Sequence, residues 1–523
     1  MMDLQAMPTL RDIMRVQADK YGDQSAIWFE GRETSYQTLY ERSNQVGNGL
    51  IAEGCKKDAR VGFIGKNSDS NIEVIMGTFA AGTVLVGVNW RLAGPEIEYV
   101  LTDAGVEVLF VDPEFEDVIG QIAGNVPSLR KIIAMGGDHA DWPGYTDWRD
   151  QFATDDTGVT VGPEDDVIQL YTSGTTGHPK GVQLTNDNYQ ALFQGAVDAG
   201  WADWNAGSGN LMCMPNFHVA GVNIALLGLA QGCNNIVLAD VDPAAIIDLI
   251  PEHKIESAFM VPAVILFVMQ MPNLEGADLS SLRMVIYGAS PIAEDLLKSA
   301  QDRFKCDFVQ VYGLTETAGG GTFLPPEAHD PALNKLRSCG KAVPGVEIRI
   351  DDGKGGEQPT GDVGEILIRS GIIMKGYWNR AEATAEAIDK DGWFHTGDAG
   401  YKDDEGYIYI HDRVKDMIVS GGENVYPAEV ENALFGHPDI ADVAVVGVPD
   451  DKWGEAVKAI VVLEPGKDAS DKDIIAFAKE KIAGYKCPKT VDFIDALPRN
   501  PSGKILRREL RAPYWEGRER QVG

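Results

Sequence analysis

The densest run of small hydrogen-bond donors in the chain is Tyr171-Thr172-Ser173-Gly174-Thr175-Thr176-Gly177-His178-Pro179-Lys180-Gly181. Glycine lets a backbone turn tightly enough for successive N–H groups to converge, and threonine and serine add hydroxyls without bulk. Lys180 adds a flexible point charge near the end of the run. Thr172, Ser173, Gly174, Thr175, Thr176, Gly177 and Lys180 are together suited to gripping a phosphate. A polar turn joining two elements is the alternative, because Gly, Ser and Thr turns are common. So many donors in one run favour the phosphate. The spacing is not that of the nucleotide loop G-x-x-x-x-G-K-S/T, since Gly177 follows Gly174 after three residues and Gly181, not a hydroxyl, follows Lys180. A P-loop mechanism is thereby disfavoured. Val167-Ile168-Gln169-Leu170 reads as the end of a strand and the segment from Asn188 as a helix, so the loop is expected to join strand to helix.

Four later runs carry further polar chemistry in a fixed order: Tyr312-Gly313-Leu314-Thr315-Glu316, Thr396-Gly397-Asp398, Asp412-Arg413-Val414-Lys415-Asp416 and Pro501-Ser502-Gly503-Lys504. With the first loop, they resemble the signature of the adenylate-forming enzymes: acyl- and aryl-CoA synthetases, luciferases and the adenylation domains of peptide synthetases. The resemblance covers nearly the whole chain and is closest to the bacterial fatty-acyl-CoA synthetases of the short soluble or peripheral type. It implies ATP, Mg2+ and coenzyme A as cofactors. It also implies a reaction in two halves: a carboxylate attacks the α-phosphate of ATP, and coenzyme A then displaces AMP from the acyl-adenylate.

Beside that resemblance, the residues can be read for what each could do. Phe308-Val309-Gln310-Val311 reads as a strand that delivers Tyr312, Gly313 and Thr315 to the edge of a sheet. Tyr312 can stack on a purine, Thr315 can donate to phosphate, and Glu316 supplies a hard oxygen for magnesium, with Thr172 a further candidate for the metal and for catalysis. A solvated surface acid is the alternative for Glu316. Asp398, following Gly397, can accept hydrogen bonds from a ribose diol, and Arg413 can make a further nucleotide contact. Lys504 is suited to bridging carboxylate and phosphate oxygens as the catalytic cation.

Other roles rest on the resemblance. His218, next to Phe217, reads on its own as a packed residue; the family places such a residue at the border of the carboxylate and thioester site. Gly288 and Ala289, in a strand exit before a helix expected to start at Pro291, would border the adenine and the acyl entrance. Gly421 and Gly422 would line a pantetheine channel after rotation of a small domain about Lys415. Ala220 and Gly221 are small enough to leave room for a chain-like ligand, while Met212, Met214, Met260, Met269 and Met271 read as core packing or as an adaptable tunnel. Val222, Ile224, Leu226 and Leu227 offer no charge to a second carboxylate. They support, with the resemblance, a medium- or long-chain fatty acid as substrate. Aryl-propenoates, polycyclic or steroid side-chain acids, and transfer to a carrier protein stay open. A non-catalytic nucleotide sensor is disfavoured because both Glu316 and Lys504 are present.

A chain of 523 residues is too long for one ordinary core. Alternating strands and helices predict an α/β large domain with parallel-rich sheets over residues 1–412, including a small antiparallel β subdomain from short runs between residues 364 and 410. The charged run 413–416 is the expected hinge, and residues 417–523 a mobile α+β lid. Near the N-terminus a helix, a small hairpin over residues 26–36 and a second helix are expected. The formal charge of −33 argues against a nucleic-acid partner and against broad attachment to an anionic membrane. Arg499, Lys504, Arg507, Arg508 and Arg511 keep a weak peripheral membrane contact open, and a homodimer is also open. Six scattered cysteines and a start without a basic, apolar leader point to a cytoplasmic protein. The uncharged stretches 74–90 and 219–239 read as buried α/β elements rather than membrane spans.

Overall fold

The structure, a computed structural model, describes residues 2–137, 139–172, 179–200, 204–413, 416–420, 423–450, 453–499 and 505–516, without the side chains at 411–413, 419, 423, 424 and 454. Its first large sheet has seven strands in the spatial order Gly376–Tyr377, Lys180–Thr185, Asp166–Thr172, Val84–Val88, Arg60–Ile64, Val106–Val111 and Lys131–Ala134. The last five run parallel. Val84–Val88 and Arg60–Ile64 are buried at every position, as strands of a parallel sheet covered on both faces must be. Phe63, Val108 and Phe110 pack with Val46, Leu50 and Val74 on one face. Val86, Val88 and Leu109 pack with Ile97, Val100 and Leu101 of helix Gly94–Ala104 on the other. That helix is closed by Gly105, in the left-handed region at φ +72°, whose N–H donates back to Leu101.

A nine-stranded sheet is built around the parallel strands Ser25–Phe29, Asn234–Val237, Gly209–Met212, Ile255–Met260, Met284–Gly288 and Asp307–Gly313, with antiparallel strands at its edges. The stretch 219–239, long enough for a membrane span, resolves into helix Val219–Gln231, the left-handed Gly232 and a strand. Almost every side of this helix is buried, and its polar groups are used internally: Asn223 Nδ2 donates to Ala318 O at 2.8 Å. Among the described residues no helix is long and apolar enough to cross a membrane. All six cysteines are free.

The antiparallel subdomain has strands Glu347–Asp351, Gly364–Arg369, Phe394–Lys402 and Ile408–Arg413, one more at its start than the sequence suggested. Residues from 418 onward form a five-stranded sheet with helices Pro427–Phe435 and Asp471–Lys481 around a separate apolar core that includes Ile418, Val430, Val445, Val461 and Ile474. The protein is thus a large α/β domain with parallel-rich sheets, followed by a smaller α+β domain.

Several expectations need correcting. The phosphate loop does not join a strand to a helix: its stems, Asp166–Thr172 and Lys180–Thr185, are an antiparallel hairpin, and helix Asn186–Asp198 comes after. The run Lys180 to Thr185 alternates polar and apolar residues and was hidden between the glycine-rich loop and the helix. Tyr36 opens a helix rather than extending the N-terminal hairpin, because Ser35 caps that helix by accepting from Thr38 N–H. The helix after Pro291 starts at Glu294. Gly221 does not leave ligand space, since a Cβ there would lie 2.1 Å from Pro215 O; the glycine permits close backbone contact.

Candidate active site

Strand Asp307–Gly313 ends at the sheet edge and runs directly into a single 3-10 turn, Thr315–Thr317. The turn is locked from within, as Thr317 Oγ1 accepts from Leu314 N–H at 2.9 Å and donates to Gly320 O. A Cβ at Gly313 would come 2.5 Å from the backbone of Gly319, so only glycine lets the chain fold back here. This turn places Glu316 inward, 8% exposed.

Glu316 Oε1 accepts from the Tyr377 hydroxyl at 2.9 Å and from Thr172 Oγ1 at 3.4 Å. Its backbone carbonyl accepts from Met374 N–H at 2.8 Å. Among the described residues its side-chain partners are hydroxyls, and none is a cation. A carboxylate buried without a counter-charge is costly, by several kcal/mol in round terms. That imbalance fits a divalent cation. Magnesium takes one or two protein carboxylates and draws its other ligands from water and phosphate, so a single carboxylate with the Thr172 hydroxyl beside it is a donor set that could hold it. Lys180 Nζ lies over the Tyr377 ring, 4.8 Å from its centre, which brings a positive charge to the same corner.

A second buried carboxylate stands on the antiparallel sheet. Asp398, 7% exposed, accepts the Tyr312 hydroxyl at 2.8 Å. Burial, then the Asp398 charge, pushes the Tyr312 phenol well up, so it stays a donor. The approach to Asp398 is shaped locally. Gly397 turns at φ +70° and donates its N–H to Glu365 Oε1 at 3.0 Å, while Glu365 Oε2 pairs with His395 Nδ1 at 2.9 Å. Thr396 Oγ1 accepts from Asp398 N–H at 3.0 Å and donates to Ile366 O at 2.7 Å. Arg413 is the cross-strand Cα partner of Asp398.

Other expected residues fall at the same end of the sheets. Gly288 cannot carry a side chain, since a Cβ would meet Val311 O at 2.3 Å. Ala289 adopts φ +66°, a conformation that costs a non-glycine residue about 1 kcal/mol. His218 precedes helix Val219–Gln231, its ring 4.5 Å from that of Phe217. The first turn of that helix is held beside the one after Glu316, because Val219 and Asn223 both abut Gly319. Ser173, Gly174, Thr175, Thr176, Gly177, Lys415, Gly421, Gly422 and Lys504 lie outside the described residues, as does the Arg413 side chain. Tyr377 was missed by reasoning from sequence. Its strand adds to the hairpin edge through pairs Gly376–Gln183 and Tyr377–Val182, a long-range match that no local pattern announces.

Comparison with known proteins agrees with this geometry. The AMP-binding enzyme family matches residues 14–378, and the AMP-binding enzyme C-terminal domain matches residues 429–504. The fatty acid–acyl-carrier-protein ligase ScoC of Streptomyces coeruleorubidus is 41% identical over 95% of each chain. The long-chain-fatty-acid–CoA ligase FadD13 of Mycobacterium tuberculosis is 38% identical over 92% of this chain and 93% of its own. Among solved structures, the anthranilate CoA ligase AuaEII in complex with anthranoyl-AMP superposes with a TM-score of 0.90 at 27% identity, over 97% of both chains.

Proposed function

This chain belongs to the AMP-binding enzyme family, ATP-dependent acid–thiol ligases that work through an acyl-adenylate, and we propose that its acid is a medium- or long-chain fatty acid and its thiol coenzyme A. The observation that carries the acid is the uncharged interior behind His218. No Asp, Glu, Lys or Arg occurs from residue 204 to 239, and helix Val219–Gln231 runs inward from the site with Asn223 already bonded to Ala318. A second carboxylate on the substrate would find no cation there, whereas an alkyl chain would lose nothing. Val222, Leu226 and Leu227 are packed in the core and keep that interior apolar. FadD13 carries the same substrate class in its name.

In this reading the fatty acid's carboxylate attacks the α-phosphate, with Thr172, Lys180 and the loop between them gripping the phosphates and Asp398 holding the ribose. A magnesium ion on Glu316 and Thr172 would supply charge neutralisation to the phosphates. Lys504 bridges the two reacting anions during adenylation. Residues 1–412 then form the ATP and acyl domain, 413–416 the hinge and 417–523 the lid, which turns about Lys415 to bring Gly421 and Gly422 to the thiol. Such a change needs only one or two hinge residues. Lys504→Ala should lose adenylation yet still convert supplied acyl-AMP and coenzyme A to thioester. Lys415→Pro should do the reverse; equal slowing of both halves by either variant would end the lid account. We place the enzyme in the cytoplasm.

A panel of acids from acetate to palmitate, with cinnamate and a steroid acid, tests the substrate. Each added methylene is worth about 0.8 kcal/mol, so kcat/KM should climb roughly fourfold per carbon until the site is full. Highest activity with the aryl or steroid acid would refute the fatty acid. A second reading, transfer to a carrier protein's phosphopantetheine arm, is favoured by the similarity to ScoC. AMP release stimulated by a pantetheinylated carrier protein but not by coenzyme A would select it.

A further inference from the structure

We propose that Asp103, which touches none of the reacting groups, is a positioning residue that fixes the spacing of the two hydroxyls on Glu316. Asp103 lies in the last turn of helix Gly94–Ala104, where the partial negative charge of a helix end disfavours an acid. The helix therefore gains nothing from it. Its side chain is 11% exposed, and its two oxygens serve different segments. Oδ2 accepts the Tyr171 hydroxyl at 2.8 Å, and Oδ1 accepts Arg380 Nη2 at 2.7 Å. Tyr171 immediately precedes Thr172, and Arg380 follows Tyr377 by three residues. Thr172 and Tyr377 are the two hydroxyl donors to Glu316 Oε1. One carboxylate outside the site thus ties together the two arms that grip the carboxylate inside it.

Neighbouring contacts make the tie stiff. The Asp103 carbonyl accepts Trp378 Nε1–H at 3.0 Å, and Trp378 N–H donates to Gly181 O at 2.8 Å. One helical turn before Asp103, the Tyr99 hydroxyl donates to Pro179 O at 3.1 Å, so the same helix holds the second stem of the phosphate loop. Burial, followed by the charge of Asp103, pushes the Tyr171 phenol up and keeps it a donor. A Cβ at Gly181 would lie 3.1 Å from Tyr171 Cζ, so the hairpin packs tightly against that ring. A displacement of about 1 Å at a reacting centre can cost on the order of a hundredfold in rate, so a tie of this kind has consequences for the reaction although it lies outside it.

The inference rests on reading Glu316 as the metal–nucleotide contact, and its test separates the two. Asp103→Ala, Asp103→Asn and Glu316→Gln are made in the full chain. KM for Mg·ATP is measured by acid-dependent pyrophosphate exchange, and the second half-reaction with prepared lauroyl-AMP and coenzyme A. Asp103→Ala should raise KM for Mg·ATP about tenfold and shift the magnesium curve upward, leaving the second half-reaction within about twofold. Asp103→Asn, which keeps an acceptor for one donor, should fall between. A folded Asp103→Ala protein with unchanged exchange, or with both half-reactions slowed alike, overturns the inference. If Asp103→Ala does not fold, Tyr171→Phe and Arg380→Ala each remove one arm and must show the same split, and its absence in both overturns it equally. Should Glu316→Gln leave the magnesium curve unmoved, the reading of Glu316 fails and this inference with it. Should Glu316→Gln shift the curve while Asp103→Ala does not, only the positioning role is lost.

Discussion

Glu316 and Asp398 are alike at first sight and are built in opposite ways. Each is a buried carboxylate held by a tyrosine hydroxyl at nearly the same distance, 2.9 Å for Tyr377 and 2.8 Å for Tyr312. Asp398 is positioned by its own surroundings: the left-handed Gly397, the Thr396 hydroxyl and the adjacent strand with Glu365. Glu316 is positioned by distant chain, through Thr172 on the other large sheet and through Tyr377 and Met374 on a segment that crosses to it. The first arrangement suits a fixed partner such as a ribose. The second gathers several elements around one oxygen and leaves the charge without a described cation, which suits an ion that arrives with the nucleotide.

The largest effect that follows is in Glu316→Gln. Adenylation should fall on the order of 10²- to 10³-fold, the range seen when one preorganised electrostatic contact is removed, and the magnesium requirement should rise. Thermal stability without nucleotide should change little, because the isosteric amide keeps an acceptor oxygen for the Tyr377 and Thr172 hydroxyls. A magnesium titration overlaying the parent's would make the two corners equivalent and remove the contrast.

An acid sweep reads the scaffold beneath the two corners. His329, 2% exposed, bonds the Tyr287 hydroxyl through Nε2 at 3.1 Å and Pro325 O through Nδ1 at 2.9 Å. Since a carbonyl can only accept, the proton sits on Nδ1, and the phenol donates to Nε2. Burial brings its pKa down to about 4 from the ordinary 6.5. Between those values the unfolded chain binds a proton that the folded chain refuses, so stability falls as pH drops through that window, by about 3 kcal/mol in full. Asp112, pushed up to about 6 by burial, contributes with the opposite sign, gaining stability as pH falls from about 6 toward its ordinary 3.8. His329→Gln should flatten the acid limb of a Tm-against-pH curve and Asp112→Asn should steepen it.

The same contrast explains what could be read in the chain beforehand. Asp398 was legible because its turn is local, a strand followed by Thr-Gly-Asp, and so were the strand feeding Tyr312 and the hydroxyl-rich loop from Thr172 to Lys180. Glu316 was legible as a residue but not as a constellation, since Tyr377 joins it only after Gly376–Tyr377 adds an edge to the hairpin strand Lys180–Thr185. That strand was itself overlooked, because its short alternation is outweighed by the glycine-rich turn before it and the helix after it. Asp103 gave no signal at all: an acid near a helix end is ordinary until its two oxygens are seen to hold different segments. Small residues misled in one place. Gly221 suggested room for a ligand and instead allows backbone to approach backbone.

Asp398→Ala should act on nucleotide binding and not on the metal. Two hydroxyl hydrogen bonds to a charged acceptor are lost, about 3 kcal/mol, so the ATP Kd should rise on the order of a hundredfold, with the magnesium dependence unchanged. Calorimetry with ATP and with AMP reads this directly, and the two ligands should lose the same factor because the ribose is common to both. A larger loss for ATP than for AMP would mean that Asp398 also serves the phosphates, and the division between the corners would then be wrong.

The smallest expected effects come from the tyrosines, and they test independence most sharply. Tyr377→Phe and Tyr312→Phe each remove one hydroxyl from a buried carboxylate, a loss of about 1.5 kcal/mol, or roughly tenfold. Tyr377→Phe leaves Thr172, at 3.4 Å, as the described hydroxyl on Glu316, so the carboxylate is less firmly aimed and KM for Mg·ATP should rise while AMP binding holds. Tyr312→Phe should weaken ATP and AMP equally and leave the magnesium curve in place. Tyr312 and Glu316 are nevertheless neighbours in one short segment, separated only by the turn that begins at Gly313. If that turn is rigid, as the internal bonds of Thr317 suggest, each corner should respond to its own tyrosine, and the double variant should show the product of the two single effects. A coupling above about 1 kcal/mol would instead mean that the turn shifts as a unit when either hydroxyl is lost. In that case the ribose and metal contacts form one device with two tyrosine braces, and the difference in how their carboxylates are assembled would have no separate functional meaning.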